Sequence, residues 1–331
     1  MEGTGINREH KSSLFAYLFG REETKERTLS LYNSLNGTDY TNLNDITITT
    51  IEDVVYMGMK NDLSYIVRMS LYSTLNVTEH QSSDNPNMPI RELMYAARLY
   101  DKYLKAAGRT PYSSSIIPLP IPKLVVLYNG TTDIPDESVL RLSNAFRAEI
   151  RQNLNNKYGN PEELEQAVDT ALEKASPDIE VSVHVKNVNY GHSEKILSVC
   201  KPLNEYAWLI ATVRKLMVDG ATAEEAFNSA IDSMPDGFSI KEQLLLHKAE
   251  VAGMWINEYN EQETMKLLKD EYLQQGRQEG RREGKQEGES MLASLINTLL
   301  SLGRNDDIPR VTTDPSFREN LYIQFGLKKP L

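Results

Sequence analysis

Cysteine is almost absent: Cys200 is the only one in 331 residues. An internal disulfide and a cysteine-built zinc site are therefore excluded, and a lone thiol suits a reducing, cytoplasmic setting. Long apolar runs are missing too. No stretch approaches the ~20 residues that a bilayer span needs, and the N-terminus (Met1 to Glu9) has no apolar signal core. Basic charge is also in short supply. Thirty-six Lys and Arg against 47 Asp and Glu give a net charge of −11 and a pI near 5.1. That balance argues against a broad basic footprint of the kind that grips nucleic acid without regard to sequence, although acids gathered in outlying helices would leave one face free.

What remains is ordinary for a globular chain, with 40% hydrophobic and 25% charged residues. Residues 12–36 carry a helical stripe (Leu14, Phe15, Leu18, Phe19, then Leu29, Tyr32, Leu35), with Gly20 as a break and Gly37 as a C-cap. Strands follow at Ile46–Ile51, near 63–69 and near 74–81, rich in β-branched residues or alternating in polarity. After the Asn85–Pro89 turn comes a helix over 90–106, its stripe read as Leu93, Met94, Ala97, Tyr100 and Leu104. The apolar run Lys123–Tyr128 reads as a central strand covered on both faces, and Asn129-Gly130 ends it. Residues 147–178 read as a helical insertion with Pro161 as a helix start, and residues 179–188 as a further strand. The chain is then helical over 203–218, 222–233 and 240–259. The order makes an α/β domain with a mixed sheet over residues 1–200, followed by a helical extension over 201–262.

Residues 263–290 form a charged arm whose core, Gly276 to Gly288, repeats glycine every fourth residue among bases and glutamates. Each interior glycine costs about 1 kcal/mol relative to alanine, so a marginal helix or a linker is expected. The arm reads first as a solvated spacer and second as a seam through which two copies could join. A short helical tail, 291–331, completes the chain.

The chemistry points to two acids. Leu75, Val77, Glu79 and Gln81 share one face of their strand, Thr78 and His80 the other. A carboxylate that continues an apolar stripe must be paired, hydrogen-bonded or metal-bound. Asp62 opens the preceding strand, and a hairpin would bring it to Glu79. Two such carboxylates, with the His80 backbone carbonyl, suit Mg²⁺ or Mn²⁺, which prefer oxygen ligands and keep several waters. Gln81 is then placed to orient a water or a phosphate oxygen, and Arg91 is a candidate phosphate contact or the partner in an ion pair. The plain alternative is that Asp62 caps a strand entry and Glu79 pairs with a base. His192, in Asn189-Tyr190-Gly191-His192, follows a strand and is a weaker candidate for the same site.

Several stretches taken together carry a resemblance: Tyr56-Met57-Gly58-Met59-Lys60-Asn61-Asp62-Leu63-Ser64, Glu79-His80-Gln81-Ser82, Asn85-Pro86-Asn87-Met88-Pro89-Ile90-Arg91, Val125-Val126-Leu127-Tyr128-Asn129-Gly130 and Asn187-Val188-Asn189-Tyr190-Gly191-His192. In order and spacing they resemble the recombination-promoting nuclease / putative transposase family of the PD-(D/E)XK nuclease superfamily, over residues 12–260 apart from 147–178. The resemblance implies a restriction-endonuclease-like core (α-β-β-β-α-β), a metal-dependent DNA endonuclease, and a bacterial role in recombination or mobile elements. It makes Asp62 and Glu79 the motif acids and puts Gln81 where the wider superfamily carries lysine. Ser12 stands where relatives carry an acid, with Glu9 one turn earlier, which implies a weakened centre. The second reading is a catalytically inactive nuclease fold serving as a DNA-binding or assembly module.

Overall fold

The computed structural model describes residues 13–49, 62–69 and 71–327, with the backbone alone for 261–275, 278, 279, 283 and 287. The first helical stretch is broken where glycine was read. Helix α1 (Leu14–Phe19) starts at Ser13, whose Oγ accepts the Ala16 N–H at 3.1 Å, and stops at Gly20. A side chain on Gly20 would put its Cβ 2.8 Å from the Ala16 carbonyl oxygen. Helix α2 (Lys25–Asn36) ends at Gly37, whose φ of +64° is the left-handed C-cap that glycine adopts without strain.

Six strands form one mixed sheet: β1 (Ile46–Ile48), β2 (Leu63–Arg68), β3 (Ser73–Gln81), β4 (Ile121–Tyr128), β5 (Glu137–Arg141) and β6 (Ser182–Asn187). Their order is β1-β2-β3-β4-β6-β5. β1, β2 and β3 are an antiparallel meander, with Leu63 opposite Thr78. Helix α3 (Met88–Ala106) then returns the chain so that β4 runs parallel to β3, with Gln81 opposite Tyr128. β6 is parallel to β4 and pairs Asn187 with Tyr128. The carboxyl ends of β3, β4 and β6 therefore meet at one edge of the sheet.

Each face of the sheet has its own core. On one, Leu63, Tyr65, Val67 and Leu127 pack with α1, α2, α6 (Glu194–Val199), α7 (Lys201–Val218) and α8 (Ala223–Asp232), where Phe227 stacks on Trp255 at 5.1 Å. On the other, Ile66, Leu75 and Val77 pack against Tyr95 and Leu99 of α3, and Met88 packs with Val126, Val183 and Val185. β4 is covered on both faces only at its C-terminal end, with Val126 in one core and Leu127 in the other, while residues 121–123 are exposed. Among the described residues, no helix is long and apolar enough to cross a membrane.

Three expectations change. The buried stripe of α3 is Met88, Glu92, Tyr95, Ala96 and Leu99 rather than the set centred on Leu93, Met94 and Ala97; Met94 is 38% exposed. A glutamate at a core position disguises the true phase. β5 has no counterpart in the sequence reading: a five-residue edge strand with a charge at each end leaves little alternation to detect. The charged arm is continuous with the helix before it, in α10 (Lys248–Ser301). Arg, Gln, Glu and Lys between the glycines are good helix formers, and Lys285 pairs with Glu289 one turn on at 3.8 Å. The run Ile46–Ile51 is a strand only to Ile48 within the described residues.

The chain divides into two units, residues 1–152 with 168–260, and residues 153–167 with 261–331. The first contains the sheet. The second contains a small core of Leu295, Leu299, Val311, Leu321 and Tyr322, in which Asp314 caps helix α12 (Pro315–Gln324). The insertion read at 147–178 is two helices, α4 (Ser143–Leu154) and α5 (Pro161–Ala175), the latter opened by the expected proline.

Two outcomes follow. Cys200 is fully buried, and burial pushes its thiol up to about 11. It should resist iodoacetamide at pH 8 in the native protein and react fully in denaturant, followed by intact mass. Ala at Gly276, Gly280, Gly284 and Gly288, where a Cβ meets open space, should each favour the helix by about 0.5–1 kcal/mol, read as a higher melting temperature of the helical circular dichroism signal assigned to the arm.

Candidate functional site

The β2–β3 hairpin does what its alternation requires. Asp62 sits one residue before β2, one step beyond the Leu63–Thr78 pair, and Glu79 continues the Leu75–Val77 face. The two acids hold each other's strands. The Asp62 N–H donates to Glu79 Oε1 at 3.2 Å, and the His80 N–H donates to Asp62 Oδ2 at 2.8 Å. Ser13, the cap of α1, donates its hydroxyl to Asp62 Oδ1 at 3.2 Å. From the other face Arg91, in the first turn of α3, reaches Glu79 Oε2 at 3.0 Å and the Tyr95 hydroxyl at 3.0 Å.

Burial sets the electrostatics. Glu79 is 3% exposed. Desolvation pushes the proton affinity of both carboxyls above the ordinary carboxylate range. For Glu79 the next causes are the Asp62 and Glu92 charges, opposed by Arg91. Glu92 adds a third acid one residue beyond Arg91. It is fully buried, neither of its oxygens has a hydrogen-bond partner among the described residues, and burial holds its carboxyl well above the usual range. Among the described residues, three acids lie around one guanidinium here.

The other candidates fall differently. Gln81 shares the Glu79 face, but its amide nitrogen lies on Met88 Sδ at 3.0 Å. The His80 ring is on the opposite face, stacked on Phe15 at 5.1 Å, with its Nε2 3.3 Å from the Tyr206 hydroxyl and its Nδ1 3.8 Å from Glu258. Arg91 is committed to an ion pair with Glu79. His192 lies beyond the end of β6 and is bound through Nδ1 to Asp136 at 2.8 Å. Ser12 and Glu9, and the Tyr56–Asn61 part of the motif, lie outside the described residues.

Ser13, Glu92 and Tyr95 were missed. Ser13 could have been found as the N-cap before Leu14. Glu92 and Tyr95 lie at i+4 and i+7 from Met88, a stripe visible only if a glutamate is admitted to it. The oxygens that could hold a cation are those of Asp62 and Glu79. Among the described residues no group of three or more His, Cys, Asp or Glu is placed to hold one. No protein-family model, curated protein or solved structure matches this chain.

Replacing Arg91 by Gln should destabilise the protein in EDTA at neutral pH by about 1–3 kcal/mol, less than a fully buried pair because the guanidinium is partly in water. The sign with pH is fixed by Glu79. Its folded proton affinity is already raised, and losing Arg91 raises it further, so the mutational loss should grow as pH rises through that raised range and fade once pH falls below it, where Glu79 keeps its proton in both folded proteins. Urea titrations at several pH values measure it.

Proposed function

We propose that this chain is a metal-dependent endonuclease that hydrolyses DNA phosphodiester bonds, of the PD-(D/E)XK type and linked to recombination or mobile elements. The observation that carries the reading is the meeting of Asp62, half-buried at the entry to β2, and Glu79, buried on β3, at the edge where three parallel strands end. The element order α1-α2-β1-β2-β3-α3-β4, a meander followed by a helix and a parallel strand, supports a restriction-endonuclease-like core, with two helices before the meander.

The donor set fits a hard divalent cation. Asp62, Glu79 and the His80 backbone carbonyl would hold Mg²⁺ or Mn²⁺, and the excess of acid over base is what a cation relieves. When bound, such an ion lowers the pKa of water and neutralises charge on a phosphoryl oxygen. The chain's own groups do the positioning. The His80 N–H and the Ser13 hydroxyl fix the Asp62 carboxylate, while the Asp62 N–H and Arg91 fix that of Glu79. Each carboxylate oxygen keeps a lone pair beyond the bond it accepts. Gln81, its nitrogen against Met88, has its carbonyl oxygen to orient a water.

The second reading is an inactive nuclease fold that binds DNA or assembles with partners. Arg91 on Glu79 and Gln81 against Met88 favour it, since both side chains are engaged away from an incoming ligand.

Supercoiled plasmid decides between them. Wild type with Mg²⁺ or Mn²⁺ should nick it and EDTA should stop it. Asp62→Ala and Glu79→Ala should each lower the rate at least about 100-fold, equivalent to about 2.7 kcal/mol, and Gln81→Ala about 10-fold. A wild type that leaves plasmid intact with every metal sinks the nuclease reading in favour of the second.

A further inference from the structure

Arg214 projects from the last turns of α7 to the edge of the sheet where β4 and β6 end. Its Nη1 donates to Asn189 Oδ1 at 2.9 Å, and its Nη2 donates to Asn129 Oδ1 at 2.6 Å and to the Asn129 backbone oxygen. Every one of these acceptors is neutral. Burial works against its charge, and among the described residues the groups that favour the charge are the Tyr206 and Tyr128 hydroxyls, with no carboxylate among them. Arg91, Lys186 and Lys241 instead each lie against a carboxylate.

A guanidinium stays charged in a protein, and a desolvated charge needs a counter-charge. It has five N–H donors, and the three bonds above leave Nε–H and one Nη1–H. Beside it the Asn129 amide nitrogen is buried without a hydrogen-bond partner among the described residues. Unmet donors in one place are the mark of an acceptor that comes from outside.

The surroundings hold the cluster in shape. Asn189 is tied by its amide to the Gly130 carbonyl at 3.0 Å and to Asn187 Oδ1 at 2.9 Å. Gly130 must be glycine, because a Cβ there would lie 2.1 Å from the Ser82 carbonyl oxygen. Open α/β sheets take ligands outside the carboxyl ends of their strands, and this cluster caps two of them.

We infer that Arg214, held by Asn129 and Asn189, is a binding site for a phosphate-type oxyanion, and that the anion is a backbone phosphate of the nucleic acid whose cleavage is proposed at Asp62 and Glu79. The second half rests on the nuclease reading; the first does not. Glu79 pairs with Val126 on β4, so Asn129 lies one strand over and three residues on, about 11 Å away at ordinary strand spacing. A few phosphates along one strand span that distance.

The test uses the full chain in EDTA, so that binding is read without cleavage. Anisotropy of a fluorescein-labelled oligonucleotide is followed between about 50 and 200 mM salt, with inorganic phosphate as a separate thermal-shift arm. Arg214→Gln should weaken oligonucleotide binding about equally for all sequences and lower the salt slope by about one. Arg214→Lys, which keeps the charge but not the fork, should weaken binding with the slope retained. Should Arg214→Gln fail to fold, the Lys variant decides, and affinity equal to wild type overturns the inference. An unchanged slope in a folded Arg214→Gln also overturns it, while plasmid nicking by wild type leaves the nuclease reading standing. Stabilisation of wild type by inorganic phosphate that Arg214→Gln loses, with no oligonucleotide bound, keeps the anion site and removes the nucleic acid. A wild type that responds to neither probe overturns both halves.

Discussion

Two carboxylates brought to one strand end repel each other, and burial makes that repulsion harder to screen. A hydrogen bond to a charged group contributes about 1.5–3 kcal/mol, while desolvating an ion costs several kcal/mol even after relaxation. Asp62 and Glu79 together accept the Asp62 and His80 N–H groups, the Ser13 hydroxyl and one guanidinium. These bonds are arranged in a closed cross: Glu79 receives the backbone of Asp62, and Asp62 receives the backbone beside Glu79. The hairpin register therefore cannot slip without breaking both, and the acids cannot separate without unpairing the strands. Even so, both carboxyls keep a raised proton affinity. The contacts reduce the cost of the arrangement without cancelling it.

The elements around the pair follow from this need. The first turn of α3 supplies Arg91, and the same helix buries Tyr95 and Leu99 against the sheet, so the cation is carried on a part of the fold that cannot drift. On the opposite face the His80 ring is closed in by Phe15 of α1 and Tyr206 of α7. That packing pins the residue whose N–H orients Asp62. One strand residue therefore links the large helical core to the acid through its backbone, and its side chain is spent on packing.

Local pattern carried the sequence reading a long way here. Alternation in Leu75-Asn76-Val77-Thr78-Glu79 identifies the exceptional acid, and the short connection between strands places Asp62 opposite it. Gly20, Gly37 and Pro161 mark helix ends because their backbone chemistry is local. The reading failed where meaning comes from distant partners. Glu92 looks like a surface residue in any scheme that counts apolar positions, so α3 was phased wrongly. β5 gains its strand character from pairing with β6 rather than from its own residues. The glycines of α10 argue locally against a helix, and their neighbours outweigh them. Arg214 carries no local signal at all, since what distinguishes it is that, among the described residues, no acid pairs with it.

That last case bears on the net charge of −11. Charge summed over a chain acts through solvent and is screened within about 8–10 Å at physiological ionic strength. A guanidinium in a desolvated pocket acts at contact, where screening is weak. An acidic protein can therefore hold an anion at one point while repelling polyanions over most of its surface. The balance disfavours a broad electrostatic grip and leaves a small number of directional donors to supply affinity. The proposed anion site would depend on the placement of Asn129, Asn189 and Arg214 at the strand ends, and so on the same sheet register that brings Asp62 to Glu79.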